Sequence, residues 1–265
     1  MTLAPASIEA CCATLYGHPL VELVAGQSFH PGGLAGTRRL LAVARLPAGA
    51  RMLDAGCGLG ASAQLAALEF GLAVDACDVS NAAIKRARSL AAGAGAVIRF
   101  VEASIQGLPF EDGRFAGVLA ECVLSTTSKA SALAELRRVM APGGALLITD
   151  VTATDGLATP ELLAAALCLT GAWQPGELED LVAPSGFEIV EATDETASVT
   201  ALIDRIEARL GLLSLLSREL AGAGIFATAG SASDAATMAG TIGDARRLIA
   251  EGRIGYRAVV ARAIA

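Results

Sequence analysis

Apolar and polar residues follow one another in blocks along this chain, and the period changes from block to block. Arg51–Ala55, Leu72–Cys77, Val97–Val101, Phe115–Ala120, Ala145–Val151, Phe187–Ala192 and Ile254–Val260 are short, nearly continuous apolar runs that predict strands. Between the first five lie stretches of helical period, among them Gly60–Leu68, Asn81–Ala91 and Ser131–Met140. This alternation predicts a parallel sheet with helices on both faces and right-handed crossovers. Ahead of the first strand, 7–25 reads as helix, with Ile8, Cys11 or Cys12, and Leu15 on one face. Gln27–Gly33 reads as a loop, and Leu34–Leu46 again as helix.

The rhythm breaks after the sixth strand. Leu202, Ile206, Leu210, Leu213 and Leu220 recur at helical spacing, and Met238, Ile242, Ala245 and Ile249 suggest a second helix. The chain therefore divides into an N-terminal helical cap (1–46), a ligand-binding α/β core (47–193), a helical insertion serving as lid or association surface (194–252) and a last strand that rejoins the core (253–265). An association surface leaves a homodimer open.

Composition narrows the classes. Of 265 residues 54% are hydrophobic, so the chain buries a large core and is not disordered. The formal net charge is −7, no long Lys/Arg run exists and aromatics are 4%, which argues against a nucleic-acid partner. The longest apolar stretch, near Leu162–Trp173, is too short to span a bilayer. The first basic residue is Arg38, so no signal-peptide n-region is expected. Cysteines at 11, 12, 57, 77, 122 and 168 lack the spacing of a disulfide framework, and a cytoplasmic location is expected.

The strongest chemical signal is Asp54-Ala55-Gly56-Cys57-Gly58-Leu59-Gly60 at the end of the first strand. Its glycines permit a tight turn and close backbone approach to a ligand. The pattern is G-x-G-x-G behind an acid, where a dinucleotide site wants G-x-G-x-x-G and a pyrophosphate on a helix N-terminus. Asp54 would repel a pyrophosphate and suits a ligand carrying an ammonium group. Asp78, at the end of the second strand, can accept both ribose hydroxyls of a nucleoside.

Two further blocks agree with this one: Leu108-Pro109-Phe110, and Arg137-Arg138-Val139-Met140-Ala141-Pro142-Gly143-Gly144, expected to leave a helix and enter the fifth strand by a turn. Together they resemble the class I S-adenosylmethionine-dependent methyltransferases over roughly 27–190. The resemblance implies a seven-stranded, doubly wound, mostly parallel Rossmann-like sheet whose last strand is antiparallel. It implies S-adenosylmethionine as cofactor, S-adenosylhomocysteine as product, and a small-molecule substrate. Asp54, Gly56, Gly58 and Gly60 would line the methionine end, Asp78 the ribose and Val79 the adenine. Ser104 and Ile105 would lie beside the adenine amino group, although Ser104 stands where the family usually has Asp, and Ala116 also departs from the pattern. Phe29 and His30 would fold over the cofactor, and Glu121 would line its site after the fourth strand. Against a contact to the cofactor, His30 also reads as a solvent-facing loop residue.

The cysteines carry a second, partial resemblance, to arsenite methyltransferases. Cys11 or Cys12, Cys122 and Cys168 match the order of that family's three thiols, which would hold a thiophilic metalloid as soft ligands. Glu121 and Leu124 replace the usual Asn residues there. Four unrelated core thiols are the competing reading. The expected activity is methyl transfer to a small molecule, arsenite or another thiophile held by thiolates. The alternatives are an O-, N-, S- or C-methyltransferase without a thiolate site, and a protein that holds the cofactor without turnover. A nicotinamide oxidoreductase is disfavoured by Asp54.

Overall fold

The computed structural model describes residues 28, 30–157, 164, 169–222 and 232–264, with the backbone alone for 170, 213–222 and 232–239. The expected helix at 7–25 lies outside these residues, as do Cys11, Cys12, Phe29 and Cys168. Seven strands form one sheet: β1 (Arg51–Ala55), β2 (Ala73–Asp78), β3 (Ile98–Glu102), β4 (Phe115–Glu121), β5 (Met140–Ala153), β6 (Phe187–Asp194) and β7 (Ile254–Ala263). Their order is β3-β2-β1-β4-β5-β7-β6. The pairs among β1 to β5 are parallel, and β7 runs antiparallel to both β5 and β6. An antiparallel strand between the fifth and sixth distinguishes this sheet from the all-parallel 3-2-1-4-5-6 dinucleotide fold.

The central strands are apolar throughout because both of their faces are covered. Side chains alternate along each strand, so neighbours enter opposite layers. Met52, Leu119 and Leu147 pack under α1 (Gly33–Ala44), α2 (Ala61–Phe70) and α3 (Asn81–Ala94). Leu53, Val118 and Leu146 pack under α4 (Lys129–Val139) and α5 (Glu177–Val182). Asp150 anchors the turn after β4 to β5: it accepts from Ser125 N–H at 2.8 Å, Ser125 Oγ–H at 2.7 Å and Trp173 Nε1–H at 3.1 Å.

One boundary departs from expectation. The Pro142-Gly143-Gly144 segment reads as a turn before the strand, yet Met140 already pairs with Phe115. Gly143 takes a positive φ of 75°, the chain jogs, and regular pairing resumes at Gly117 and Ala145.

The segment between β6 and β7 forms α6 (Thr196–Gly222) and α7 (Ala232–Ala250). Val199 and Ile203 of α6 and Ala245 and Leu248 of α7 pack with Val151, Ile254 and Tyr256 at the end of β5 and the start of β7. Both helices thus dock at the carboxyl end of the parallel strands. Among the described residues no helix is long and apolar enough to cross a membrane.

Candidate active site

The carboxyl ends of β1, β2 and β4 meet at the glycine turn. Gly56, Gly58 and Gly60 have φ of 78°, 52° and 75°, a region that side chains rarely enter. A Cβ on Gly56 would lie 2.4 Å from Val123 Cγ2, and one on Gly60 would lie 2.9 Å from Phe100. The turn is tied to β2: Gly56 and Cys57 N–H donate to the Cys77 carbonyl at 2.8 and 2.9 Å. Asp78 fixes the rest, accepting from Gly58 N–H at 2.9 Å and from Ser80 N–H at 2.8 Å. Ser80 in turn caps α3 by accepting from Ala83 N–H.

Asp54, next to last in β1, is buried at 3% exposure, and its Oδ2 has no hydrogen-bond partner among the described residues. Burial pushes its carboxyl well above the usual carboxylate range, and the nearby charges of Glu121 and Asp78 push it further. Asp78 is also raised by burial, with the Ser80 and Gly58 N–H groups working against that. Three acids therefore converge on this turn.

The residues expected on the adenine side differ from one another. Val79 is half-buried in the β2–α3 turn. Ser104 Oγ accepts from Gln106 N–H, and Ala103 N–H donates to the Asp78 carbonyl, so this loop is bonded to the end of β2. Ile105 is 2% exposed and spends its side chain in the core, leaving its backbone to line a site.

His30 corrects the solvent-facing reading: it is 6% exposed. Its Nε2 lies 3.3 Å from Glu121 Oε2 at the end of β4. Ser62 Oγ–H donates to the same oxygen at 2.6 Å, and Thr37 Oγ1 lies 3.1 Å from both carboxylate oxygens. Thr37 and Ser62 were missed by sequence reasoning. The available signal for Thr37 was a polar residue on the buried face of α1, with Leu40, Leu41 and Ala44. His30 and Glu121 line a cleft of about 370 Å³ that runs under α1 along β7 and β6, past Leu40, Thr149, Tyr256 and Glu191.

Cys122 follows Glu121 with a φ of 53°. Its Sγ–H donates to Tyr256 Oη at 3.5 Å, and Tyr256 O–H donates to Thr149 Oγ1 at 2.7 Å. Burial, Asp150 and Glu121 together push this thiol well up, the opposite of what a thiolate ligand needs. Burial also raises Cys57 and Cys77. Among the described residues no group of three His, Cys, Asp or Glu side chains is placed to hold a metal. The metalloid site expected at Cys122 therefore gains no support, while Cys11, Cys12 and Cys168 lie outside the described residues.

Comparison with known proteins converges on one reading. Residues 53–148 match the family described as "Methyltransferase domain". An O-methyltransferase of Aspergillus nomiae is 34% identical over 162 residues, covering 58% of this chain and 72% of that protein. An O-methyltransferase of Aspergillus sclerotiorum is 32% identical over 164 residues, covering 60% of this chain and 62% of that protein. The fold is shared with phosphoethanolamine N-methyltransferase 2 of Haemonchus contortus in complex with phosphomonomethylethanolamine and S-adenosylhomocysteine, at a TM-score of 0.76 and 19% identity over 92% of this chain and 56% of that one. The residues present suit the cofactor of such enzymes. S-adenosylmethionine carries a sulfonium and an ammonium, and Asp54 Oδ2, buried and without a hydrogen-bond partner among the described residues, sits in an acidic turn. This chain belongs to the class I S-adenosylmethionine-dependent methyltransferases.

Proposed function

We propose that this chain methylates a hydroxyl group of a small molecule. The observation that carries the reading is the acidic glycine turn, with Asp54 buried beside Asp78 and Glu121 and its Oδ2 without a hydrogen-bond partner among the described residues. When bound, S-adenosylmethionine supplies an electrophilic methyl group on a positively charged sulfur. Asp54 would hold the ammonium at the methionine end, together with the backbone of Gly56, Gly58 and Gly60. Asp78 would accept from the ribose hydroxyls, Val79 would pack on the adenine, and the backbone at Ser104 and Ile105 would meet its amino group. Glu121, whose charge reaches Asp54, lines the cleft together with His30, and Leu40, Thr149 and Tyr256 wall it. Its size falls in the range of small-molecule pockets. The O-methyltransferase relatives favour a hydroxyl acceptor.

The test is calorimetry with S-adenosylmethionine, followed by S-adenosylhomocysteine release across phenols, alcohols, amines, thiols and arsenite. Turnover with hydroxyl compounds is expected. Cofactor binding without turnover on any acceptor would identify a protein that holds the cofactor only, and turnover confined to arsenite or thiols would restore a thiophilic substrate.

A further inference from the structure

We propose that His30 is the general base for the acceptor, taking its hydroxyl proton on Nδ1, and that Glu121 is the positioning residue behind it. The inference rests on the hydroxyl reading above. Glu121 accounts for one ring nitrogen: Nε2 lies 3.3 Å from Glu121 Oε2 and 3.4 Å from Thr37 Oγ1. The other nitrogen, Nδ1, is buried and has no hydrogen-bond partner among the described residues. Ser28 Oγ, two residues earlier in the same loop, is likewise buried without one. Buried polar atoms are nearly always paired, so an unpaired nitrogen on a residue that lines the cleft marks a place kept for a ligand's polar group.

The neighbours of Glu121 set the tautomer. Ser62 and Thr37 donate to its carboxylate, which accepts only. The ring hydrogen is therefore assigned to Nε2, and the lone pair stays on Nδ1. A histidine serving only to tie the loop to β4 would need Nε2 alone and would gain nothing from a second, dry, unpaired nitrogen. Charge in the cleft defines the acceptor. Glu191 and Glu195 join Glu121 in its wall, and the Arg39 guanidinium is committed to Glu195 at 2.6 Å. Such a wall turns away phosphates and carboxylates and admits an uncharged hydroxyl compound. An uncharged hydroxyl is a weak nucleophile until its proton leaves, which is the task of a base.

The balance is simple. The acceptor oxygen forms a bond to the methyl carbon as the carbon–sulfur bond breaks, and that bond's electron pair returns to sulfur. The hydroxyl proton passes to His30 Nδ1. The resulting imidazolium is balanced by Glu121 across Nε2–H, and the proton then leaves to water through the cleft.

Nitrogen NMR of the full chain labelled with 15N-histidine tests the ring directly. The chain has two histidines, so His30→Gln assigns the spectrum. In its neutral form the His30 ring should show an unprotonated Nδ1 and a protonated Nε2, and Glu121→Gln should convert it to a mixture of tautomers. With phenol as the probe acceptor, His30→Gln should lower kcat by about 10²–10⁴-fold. With 4-nitrophenol, which gives up its proton far more readily, the loss should be at least about tenfold smaller. A proton on Nδ1 of the neutral ring, or equal losses with both phenols, would overturn the proposal. Failure of the wild-type chain to bind S-adenosylmethionine would instead overturn the functional reading and leave the ring assignment standing.

Discussion

Replacing Asp78 with alanine separates two jobs that one side chain performs. In the free protein its two oxygens accept from Gly58 N–H at 2.9 Å and Ser80 N–H at 2.8 Å. Losing both leaves two partly buried donors short of a partner, at about 1 kcal/mol each. A total near 2 kcal/mol lowers Tm by roughly 4–8 °C in a domain of this size. In the complex the same carboxylate would also accept from the ribose, and a charge-assisted hydrogen bond is worth about 1.5–3 kcal/mol. Asp78→Ala should therefore weaken S-adenosylmethionine binding by about tenfold to a few hundredfold. Asp75→Asn is the control. Asp75 lies on the same strand as Asp78; the change removes its ion pair to Arg114, 2.9 Å away just before β4, and should cost stability without cofactor affinity. Calorimetry well below both melting temperatures reads the affinity, and thermal unfolding reads the stability. If Asp78→Ala loses stability yet binds the cofactor within about twofold of wild type, the residue only bolts the turn together and its ribose role falls.

Gly56→Ala should lose cofactor binding and destabilise by about 1–3 kcal/mol in urea titration, since its φ is 78° and its Cβ would strike Val123; Val123→Ala should relieve the clash but not the backbone strain. Cys122→Ala should leave cofactor affinity unchanged and cost about 1 kcal/mol through the lost bond to Tyr256; a hundredfold loss of methyl transfer would argue for a role of the thiol in the reaction. The buried Asp54, Asp78 and Asp150 are all raised above the ordinary 3.8, so the folded state holds their protons longer than the unfolded chain does. Their contribution to stability is complete below that value and is lost as pH rises through the raised values, so the Tm of the cofactor-free chain should fall upward from about pH 4. A cationic ligand favours the ionised acids, so the thermal shift given by S-adenosylmethionine should grow over the same interval; a shift that stays flat there would count against Asp54 as its partner.

Much of the fold was legible because the central strands are buried on both faces and therefore read as unbroken apolar runs. The start of β5 was not, because Pro142-Gly143-Gly144 carries turn chemistry locally while Met140 is claimed by Phe115 from another strand. The glycine turn and Asp78 were legible for the opposite reason: their function depends on backbone shape and on a charge at a strand end, both written in local sequence. The acceptor side was hidden. His30 is buried by Glu121, and Thr37 meets that same carboxylate across 84 residues of chain. Cys122 read as a candidate thiolate ligand, but its Sγ meets Tyr256, 134 residues away, and its environment raises it. No periodicity announces such pairings.

The placement of β7 bears on how the chain is made. It follows the six other strands along the sequence, yet it fills the gap between β5 and β6. During synthesis β1 to β5 and the glycine turn leave the ribosome first, and these strands pair with near neighbours, so the cofactor half can assemble early. The acceptor wall, which needs Tyr256 and Ala258, waits for β7 to arrive behind two long helices. Until then β5 exposes an unpaired edge of apolar residues, Leu146 to Ile148 among them, to any other nascent chain. Shortening the chain before Ile254 would leave that edge open for good, giving a protein prone to aggregate even though every residue expected to touch the cofactor is still present.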